Sequence, residues 1–225
     1  MTTTTNAPRA VTDPGHVTLD PVRDALLVID LQPDFMPGGP LAVEGGEDIV
    51  APIAQLIPRF GTVVATQDWH PRHHRSFASS HPGKKPHDEI PVHGAQQTLW
   101  PDHCIQGTAG AALHRGVPVD ALSMILRKGA NPSVDSYSAF RENYGPDAKR
   151  APTGLAGFLR ERGIWRVFVV GLARDFCVRW TAEDAIAAGF KTVVIDELTR
   201  SVFPAKSPET NLVFERAGVK LLRSL

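Results

Sequence analysis

Three side chains in this sequence could together generate a nucleophile. The carboxylate Asp30 and the amine Lys128 each follow an apolar run, and Cys177 lies shortly after a third such run. A carboxylate can accept a thiol proton, and an ammonium group favours the charged state of both partners. Cys177 also falls in the first turn of a predicted helix, where free backbone N–H groups and the helix dipole stabilise a thiolate. Each residue alone has an ordinary structural explanation, but together they predict a nucleophilic triad.

A second group of side chains has the composition of a metal site. Asp68 and His70 are two residues apart, so on an extended segment both side chains point to one face, and His103 is a plausible third ligand. One carboxylate and two imidazoles suit a divalent ion such as Zn, Mn or Fe, with positions left open for water or substrate. Cys104 could be a soft ligand, although packing explains it more simply. Five further histidines nearby are interpreted as ordinary structural residues because not all can reach one ion: His73, His74, His81, His87 and His93.

These residues need a scaffold that brings the ends of distant strands together. Short apolar runs predict strands at Ala25–Ile29, Thr62–Thr66, Ser123–Arg127, Arg166–Val170, Thr192–Ile195 and Val219–Leu222. Helical patterns between them predict helices at Glu47–Phe60, Pro152–Arg162, Asp175–Ala188 and Pro208–Ala217. This alternation predicts a three-layer α/β/α fold around a mainly parallel sheet of about six strands. Ligands bind at the carboxyl edge of such a sheet, where the candidate residues lie. The stretch from Pro71 to Gly116 shows no clear strand, and we expect it to be a functional loop.

Composition narrows the class of protein. The chain has 225 residues, 42% of them hydrophobic, and its 24 basic side chains balance 24 acidic ones. Residues 1–20 are rich in Thr, Pro and Gly and show no apolar period, so we expect a flexible N-terminal arm there. The length of the rest predicts a single domain over residues 21–225. Zero net charge argues against nucleic acid as a partner, and no apolar run is long enough to span a membrane. Two cysteines and the lack of an apolar leader indicate a cytoplasmic protein. The expected partner is a small-molecule substrate, and homo-oligomerisation stays open.

Six ordered motifs between about Asp24 and Ser201 resemble those of the nicotinamidases (pyrazinamidases) in the isochorismatase-like cysteine hydrolase superfamily. The motifs are Val28–Phe35 (VIDLQPDF), Thr66–Pro71 (TQDWHP), Trp100–Cys104 (WPDHC), Arg127–Gly129 (RKG), Asp135–Phe140 (DSYSAF) and Gly171–Val178 (GLARDFCV). The resemblance implies an isochorismatase-like fold. Isochorismatases generally lack the metal ligands and do not use this cysteine, so the presence of both favours amide hydrolysis.

The same resemblance implies a role for each site residue. By it, Asp30, Lys128 and Cys177 form the triad, while Asp68, His70 and His103 bind the metal. The implied oxyanion hole and pocket comprise the amides of Ala173 and Cys177, a cis peptide between Leu172 and Ala173, and the aromatic walls Phe35, Trp100 and Tyr137. In some relatives one more side chain completes the metal shell, and here His74 and Ser76 both lie near enough in sequence to be considered.

The implied activity is metal-dependent hydrolysis of nicotinamide to nicotinate and ammonia through a cysteine thioester, with pyrazinamide as a further substrate. The ion is expected to hold the pyridine nitrogen, and to govern substrate binding more than thiol reactivity because its ligands come from other segments than the triad. Two alternatives stay open. One is a hydrolase of the same superfamily acting on another small amide or a vinyl ether, and the other is a non-catalytic binder of a metal or small ligand.

Overall fold

A parallel sheet of six strands forms the centre of the molecule. The computed structural model describes residues 17–225. In spatial order the strands are β10 (Lys220–Leu222), β9 (Lys191–Arg200), β8 (Arg166–Leu172), β1 (Asp24–Ile29), β2 (Thr62–Asp68) and β5 (Met124–Lys128). Every neighbouring pair is parallel. All six residues of β1 are buried, because it lies between two strands and under both covering layers.

Within residues 17–225, four α-helices flank this sheet. They are α1 (Val50–Leu56), α2 (Leu155–Glu161), α3 (Arg179–Ala187) and α4 (Ser207–Ala217). Gly218 follows the last residue of α4, and its φ of +79° suits a residue without a Cβ. The predicted three-layer α/β/α fold with about six parallel strands is confirmed.

Several predicted element boundaries were wrong. The helix expected over Glu47–Phe60 has only α1 as its α-helical part, with a 3₁₀ turn on either side; Pro58, which has no N–H to donate, lies in the second turn. The helix expected from Pro152 begins instead at Leu155, after Gly154 at a φ of +94°. The helix expected over Asp175–Ala188 opens with a π-helical turn, Arg174–Val178, before α3.

Two antiparallel hairpins were also missed. Within the predicted loop from Pro71 to Gly116, β3 (Glu89–Val92) pairs with β4 (Ala95–Thr98). His93 and Gly94 connect them, both at positive φ, as a tight two-residue hairpin turn requires. The second hairpin pairs β6 (Arg141–Tyr144) with β7 (Arg150–Pro152). Neither shows the strong apolar alternation that would reveal a strand in sequence, because both lie near the surface.

Most of the predicted arm, residues 1–16, lies outside the described residues. At its end, Val17 and Leu19 pack against the hydrophobic core, and the Thr18 carbonyl accepts a hydrogen bond from Arg166 at 2.9 Å. The helices of residues 17–225 are all too short or too polar to cross a bilayer.

Candidate active site

Four neighbouring strands bring the predicted chemistry to one edge of the sheet. The order β8, β1, β2, β5 places Cys177 after the first strand, Asp30 after the second, Asp68 at the end of the third and Lys128 at the end of the fourth. Asp68 and Lys128 are direct cross-strand partners, so their side chains share a face. All four residues are buried. The adjacency of parallel strand ends therefore assembles the site, as the strand-end rule predicts.

The Lys128 amine lies at the centre of this group. Its Nζ is 2.8 Å from Asp30 Oδ2, donates to the Ser136 carbonyl at 3.0 Å and lies 3.4 Å from Cys177 Sγ. It also donates to Asp68 Oδ1. Burial alone would lower the pKa of Lys128, but the adjacent carboxylates of Asp30 and Asp68 outweigh it and raise that pKa well above 10.5. The three hydrogen bonds of this ammonium go to Asp68 Oδ1, the Ser136 carbonyl and Cys177 Sγ, and Asp30 Oδ2 adds an ion-pair contact.

Asp30 is held by a threonine that the sequence analysis did not single out. The Thr66 hydroxyl accepts from the Asp30 backbone N–H at 3.0 Å and donates to Asp30 Oδ1 at 2.5 Å, which leaves Oδ2 to face Lys128. Burial, reinforced by the negative charge of Asp68, raises the pKa of Asp30 above 3.8 in spite of Lys128. A raised pKa makes this carboxylate a better proton acceptor. Thr66 lies two residues before Asp68, on the same face of β2.

Cys177 lies in the π-helical turn, beside both carboxylates. Sγ of Cys177 and a carboxylate oxygen each from Asp30 and Asp68 all lie within 4.8 Å of one another. The expected stabilisation of a thiolate by a helix N-terminus does not dominate here. Burial, together with Asp30 and Asp68, raises the pKa of the thiol well above 9.0, and Lys128 only partly offsets this. The resting group is thus a thiol, with a base of raised pKa within reach.

The predicted metal ligands meet around the outer oxygen of Asp68. Asp68 Oδ2 is 3.6 Å from His70 Nε2 and 3.7 Å from His103 Nε2. The other ring nitrogens point away: Nδ1 of His70 lies 3.0 Å from the Gly129 carbonyl, and Nδ1 of His103 lies 2.8 Å from the Pro101 carbonyl. A carbonyl can only accept, so Nδ1 of each ring carries a proton, and in the neutral ring Nε2 is the atom available to a cation. This donor set fits a divalent cation.

Asp68 contacts both the triad and the other two predicted metal ligands. Its Oδ1 pairs with Lys128 while its Oδ2 faces the two histidines. Burial would raise the pKa of Asp68, but Lys128 and His70 overcome it and hold that pKa well below 3.8. The predicted metal ligands do come from other segments than the triad, but Asp68 contacts Lys128 directly. A single carboxylate joins them, since β2 and β5 are paired at this point.

The structure also shows what the two residues considered for the metal shell contact. His74 stacks on His70 with ring centroids 4.4 Å apart, and its Nε2 lies 2.8 Å from the Asn131 carbonyl. Its Nδ1 lies 2.7 Å from the Ser76 hydroxyl. Both ring nitrogens of His74 thus have hydrogen-bond partners, and its ring packs against that of His70. Cys104 is buried, and burial raises the pKa of its thiol well above 9.0.

One cleft reaches Cys177 of the triad and all three predicted metal ligands. It has about 340 Å³ of empty volume, including its mouth. The expected aromatic walls Phe35, Trp100 and Tyr137 all line it. The rings of Phe176 and Trp100 pack edge to face, with their centroids 4.7 Å apart. Further lining residues are Leu41, Asp68, His70, His103, Asp135, Ala173, Cys177 and Val202. The cis peptide predicted between Leu172 and Ala173 is present. Four lining residues were not predicted from the sequence, namely Leu41, Asp135, Phe176 and Val202, although Asp135 and Phe176 lie inside the motifs quoted above.

Comparison with known proteins agrees with this geometry. The isochorismatase domain matches residues 24–214. The chain belongs to the isochorismatase family. Within the family it is 49% identical to a nicotinamidase of Acinetobacter baylyi over 178 residues, which cover 79% of this chain and 81% of that one. The resemblance to nicotinamidases and the prediction of an amide hydrolase are both confirmed.

Solved structures of the isochorismatase family superpose closely on this one. A nicotinamidase/pyrazinamidase of Acinetobacter baumannii matches with a TM-score of 0.85 at 44% identity, covering 91% of this chain and 97% of that one. A pyrazinamidase of Pyrococcus horikoshii, solved in complex with zinc, matches with a TM-score of 0.71 at 32% identity, covering 89% and 98% respectively. A divalent metal in the site is consistent with the latter structure and with the donor set described above.

Proposed function

We propose that this protein hydrolyses nicotinamide to nicotinate and ammonia through a thioester on Cys177. The observation that carries the proposal is the cleft lined by the Cys177 thiol and by the three-residue metal-ligand set, with a carboxylate oxygen of the base Asp30 within 4.8 Å of Cys177 Sγ. A planar aromatic amide suits the walls, and its ring nitrogen suits the side of the cleft formed by Asp68, His70 and His103. Pyrazinamide has the same carboxamide on a diazine ring and is proposed as a second substrate.

The first half-reaction acylates the thiol. With the carboxamide carbon against Cys177, Asp30 accepts the thiol proton as sulfur adds to the carbonyl. The backbone N–H groups of Ala173 and Cys177, which line the same cleft, are proposed to stabilise the oxyanion; one donor of this kind contributes roughly 3 kcal/mol in related sites. The proton on Asp30 then passes to the amide nitrogen, the C–N bond breaks and ammonia leaves. The acyl group remains on sulfur as a thioester.

The second half-reaction releases nicotinate. Asp30, again ionised, takes a proton from a water molecule that attacks the thioester carbonyl. The tetrahedral adduct collapses, the C–S bond breaks and the proton on Asp30 returns to sulfur. Lys128 keeps its charge throughout, because three oxygen acceptors surround its amine. Its role is to orient Asp30 and to favour ionised groups in a buried site.

A divalent cation, when bound by Asp68, His70 and His103, supplies a Lewis-acidic anchor for the ring nitrogen of the substrate. Neighbouring groups in this chain fix the orientation of the three ligand side chains. Two backbone carbonyls fix the tautomers of the histidines, and Lys128 fixes the carboxylate.

The test is a substrate panel with the purified protein loaded in turn with Zn, Mn and Fe. We expect nicotinamide and pyrazinamide to release ammonia in equimolar amounts with the corresponding acid. Turnover of a vinyl ether such as isochorismate without amide hydrolysis would favour the alternative superfamily reaction. Binding of nicotinamide without turnover under any metal would favour the non-catalytic alternative. Cys177→Ala is the matched control for background hydrolysis.

A further inference from the structure

We propose that Gln32 is a positioning residue that aligns the Asp68 carboxylate between Lys128 and the metal-binding histidines. Its side chain is fully buried, yet neither the metal ligands nor the triad includes it. The inference rests on the proposed function for its consequence in turnover, but its geometry and its principal readout, metal affinity, do not depend on the substrate.

The carboxamide of Gln32 holds both backbone polar groups of Asp68. Gln32 Oε1 accepts from the Asp68 N–H at 2.8 Å, and Gln32 Nε2 donates to the Asp68 carbonyl at 2.9 Å. The second Nε2 proton goes to the Ala111 carbonyl, also at 2.9 Å. The Gln32 carboxamide thus uses its oxygen and one N–H on the Asp68 backbone and its other N–H on Ala111.

This pairing replaces backbone contacts that the sheet no longer supplies. The register between β1 and β2 runs from the pair Ala25 and Thr62 to the pair Val28 and Ala65, and β1 ends at Ile29. Asp68 lies beyond those pairs, so its N–H and carbonyl on that side have no strand beside them. The Gln32 amide supplies one donor and one acceptor there, as the backbone of a continuing strand would.

The direction of the Asp68 side chain follows from its backbone. Its two carboxylate oxygens have different tasks, Oδ1 toward Lys128 and Oδ2 toward His70 and His103. A small rotation of the Asp68 backbone would withdraw one oxygen as it advanced the other. Loss of Gln32 is therefore expected to weaken metal binding and to disturb the charge balance around Cys177 together.

Gln67 offers a matched control. Its Nε2 donates to the same Ala111 carbonyl at 2.9 Å, and its side chain is nearly as buried. Its remaining contact is with Arg127 at 3.5 Å, away from Asp68. Gln67→Met thus removes a buried amide and one bond to Ala111, as Gln32→Met does, but leaves both polar groups of the Asp68 backbone paired.

The experiment compares Gln32→Met with Gln67→Met in the full-length protein. The readouts are the zinc dissociation constant by chelator competition, the thermal midpoint, and the pH dependence of Cys177 alkylation in Cys104→Ala backgrounds. Lost supporting contacts of metal ligands typically weaken metal binding by about 10- to 100-fold, and we expect such a loss in Gln32→Met. We expect Gln67→Met to bind zinc close to wild type. The alkylation profile is expected to move only in Gln32→Met.

Equal zinc affinities in the two variants, or equal losses in both, would overturn the proposal. If Gln32→Met does not fold, Gln32→Asn keeps an amide but withdraws it from Asp68 by one methylene, and the same loss of zinc affinity is expected. A wild-type protein that binds no zinc would also overturn it. Wild-type protein that binds zinc without hydrolysing nicotinamide would refute the proposed function while the Gln32 comparison still decides this inference.

Discussion

Replacing Thr66 by valine removes the hydroxyl that bonds the Asp30 carboxylate and keeps nearly the same side-chain shape. The Thr66 Oγ1 to Asp30 Oδ1 distance is 2.5 Å, and both residues are fully buried. Hydrogen bonds to ionised groups contribute about 1.5–3 kcal/mol, and one pKa unit corresponds to about 1.4 kcal/mol. Because the lost bond stabilises the ionised form of Asp30, we expect the pKa of Asp30 to rise by about one to two units in Thr66→Val.

The sign of the effect on activity follows from the role of Asp30 as a base. Asp30 accepts the thiol proton only when ionised, so the active form is present above its pKa and is lost as pH falls through it. Raising that pKa moves the acid limb of the kcat/KM profile to higher pH and leaves the value of kcat/KM on the plateau at higher pH unchanged. The same substitution deprives the buried Asp30 N–H of its acceptor, which we expect to lower the unfolding free energy by about 1–3 kcal/mol.

The assay is ammonia release from nicotinamide, measured as kcat/KM across the acidic and neutral range for wild type, Thr66→Val and Thr66→Ser. The serine variant keeps the hydroxyl and is expected to keep the wild-type acid limb. A valine variant whose rate falls by a constant factor at every pH, with the limb unmoved, would refute the assignment of Asp30 as the base whose ionisation Thr66 controls.

Three further outcomes are expected. Cys177→Ala is expected to lose turnover to background while nicotinamide still raises its thermal midpoint, and Cys104→Ala is expected to keep substantial turnover; equal losses would contradict the choice of nucleophile. Lys128→Met leaves the buried carboxylates of Asp30 and Asp68 without their cation, so the unfolding free energy from urea titration is expected to fall by about 3–5 kcal/mol. A change near zero would contradict the central place of the amine. Removal of the metal by chelation is expected to raise the KM and lower the kcat for nicotinamide, because the substrate is no longer positioned. Benzamide, which has no ring nitrogen, is expected to be a poor substrate with or without metal. Benzamide cleaved as well as nicotinamide would show that the ring nitrogen is not the anchor.

The sequence was informative wherever a residue type carries chemistry of its own. Asp30, Lys128 and Cys177 could be grouped because a base, a cation and a thiol at successive strand ends must meet at one edge of a parallel sheet. Asp68, His70 and His103 could be grouped because their spacing and donor types suit one ion. The structure brings the two groups together, and Cys177 lines one cleft with the three predicted metal ligands.

The residues that hold these groups in place could not be predicted from the sequence. Thr66 and Gln32 are uncharged, buried and defined only by the backbone or carboxylate they contact, so nothing in their type distinguishes them from other polar residues near strand ends. The sharing of Asp68 could not be foreseen either, because it depends on the cross-strand register with Lys128. Register follows from packing across the sheet, which local patterns do not specify.

The most direct test of the central claim is to trap the acyl-enzyme. Wild-type protein turning over nicotinamide is quenched in acid, digested and mapped by mass spectrometry, with Cys177→Ala and Cys104→Ala treated in parallel. The account predicts a nicotinoyl group on the peptide that carries Cys177 in wild type and in Cys104→Ala, and neither adduct nor turnover in Cys177→Ala. An adduct on another residue, or continued nicotinate formation by Cys177→Ala, would contradict it.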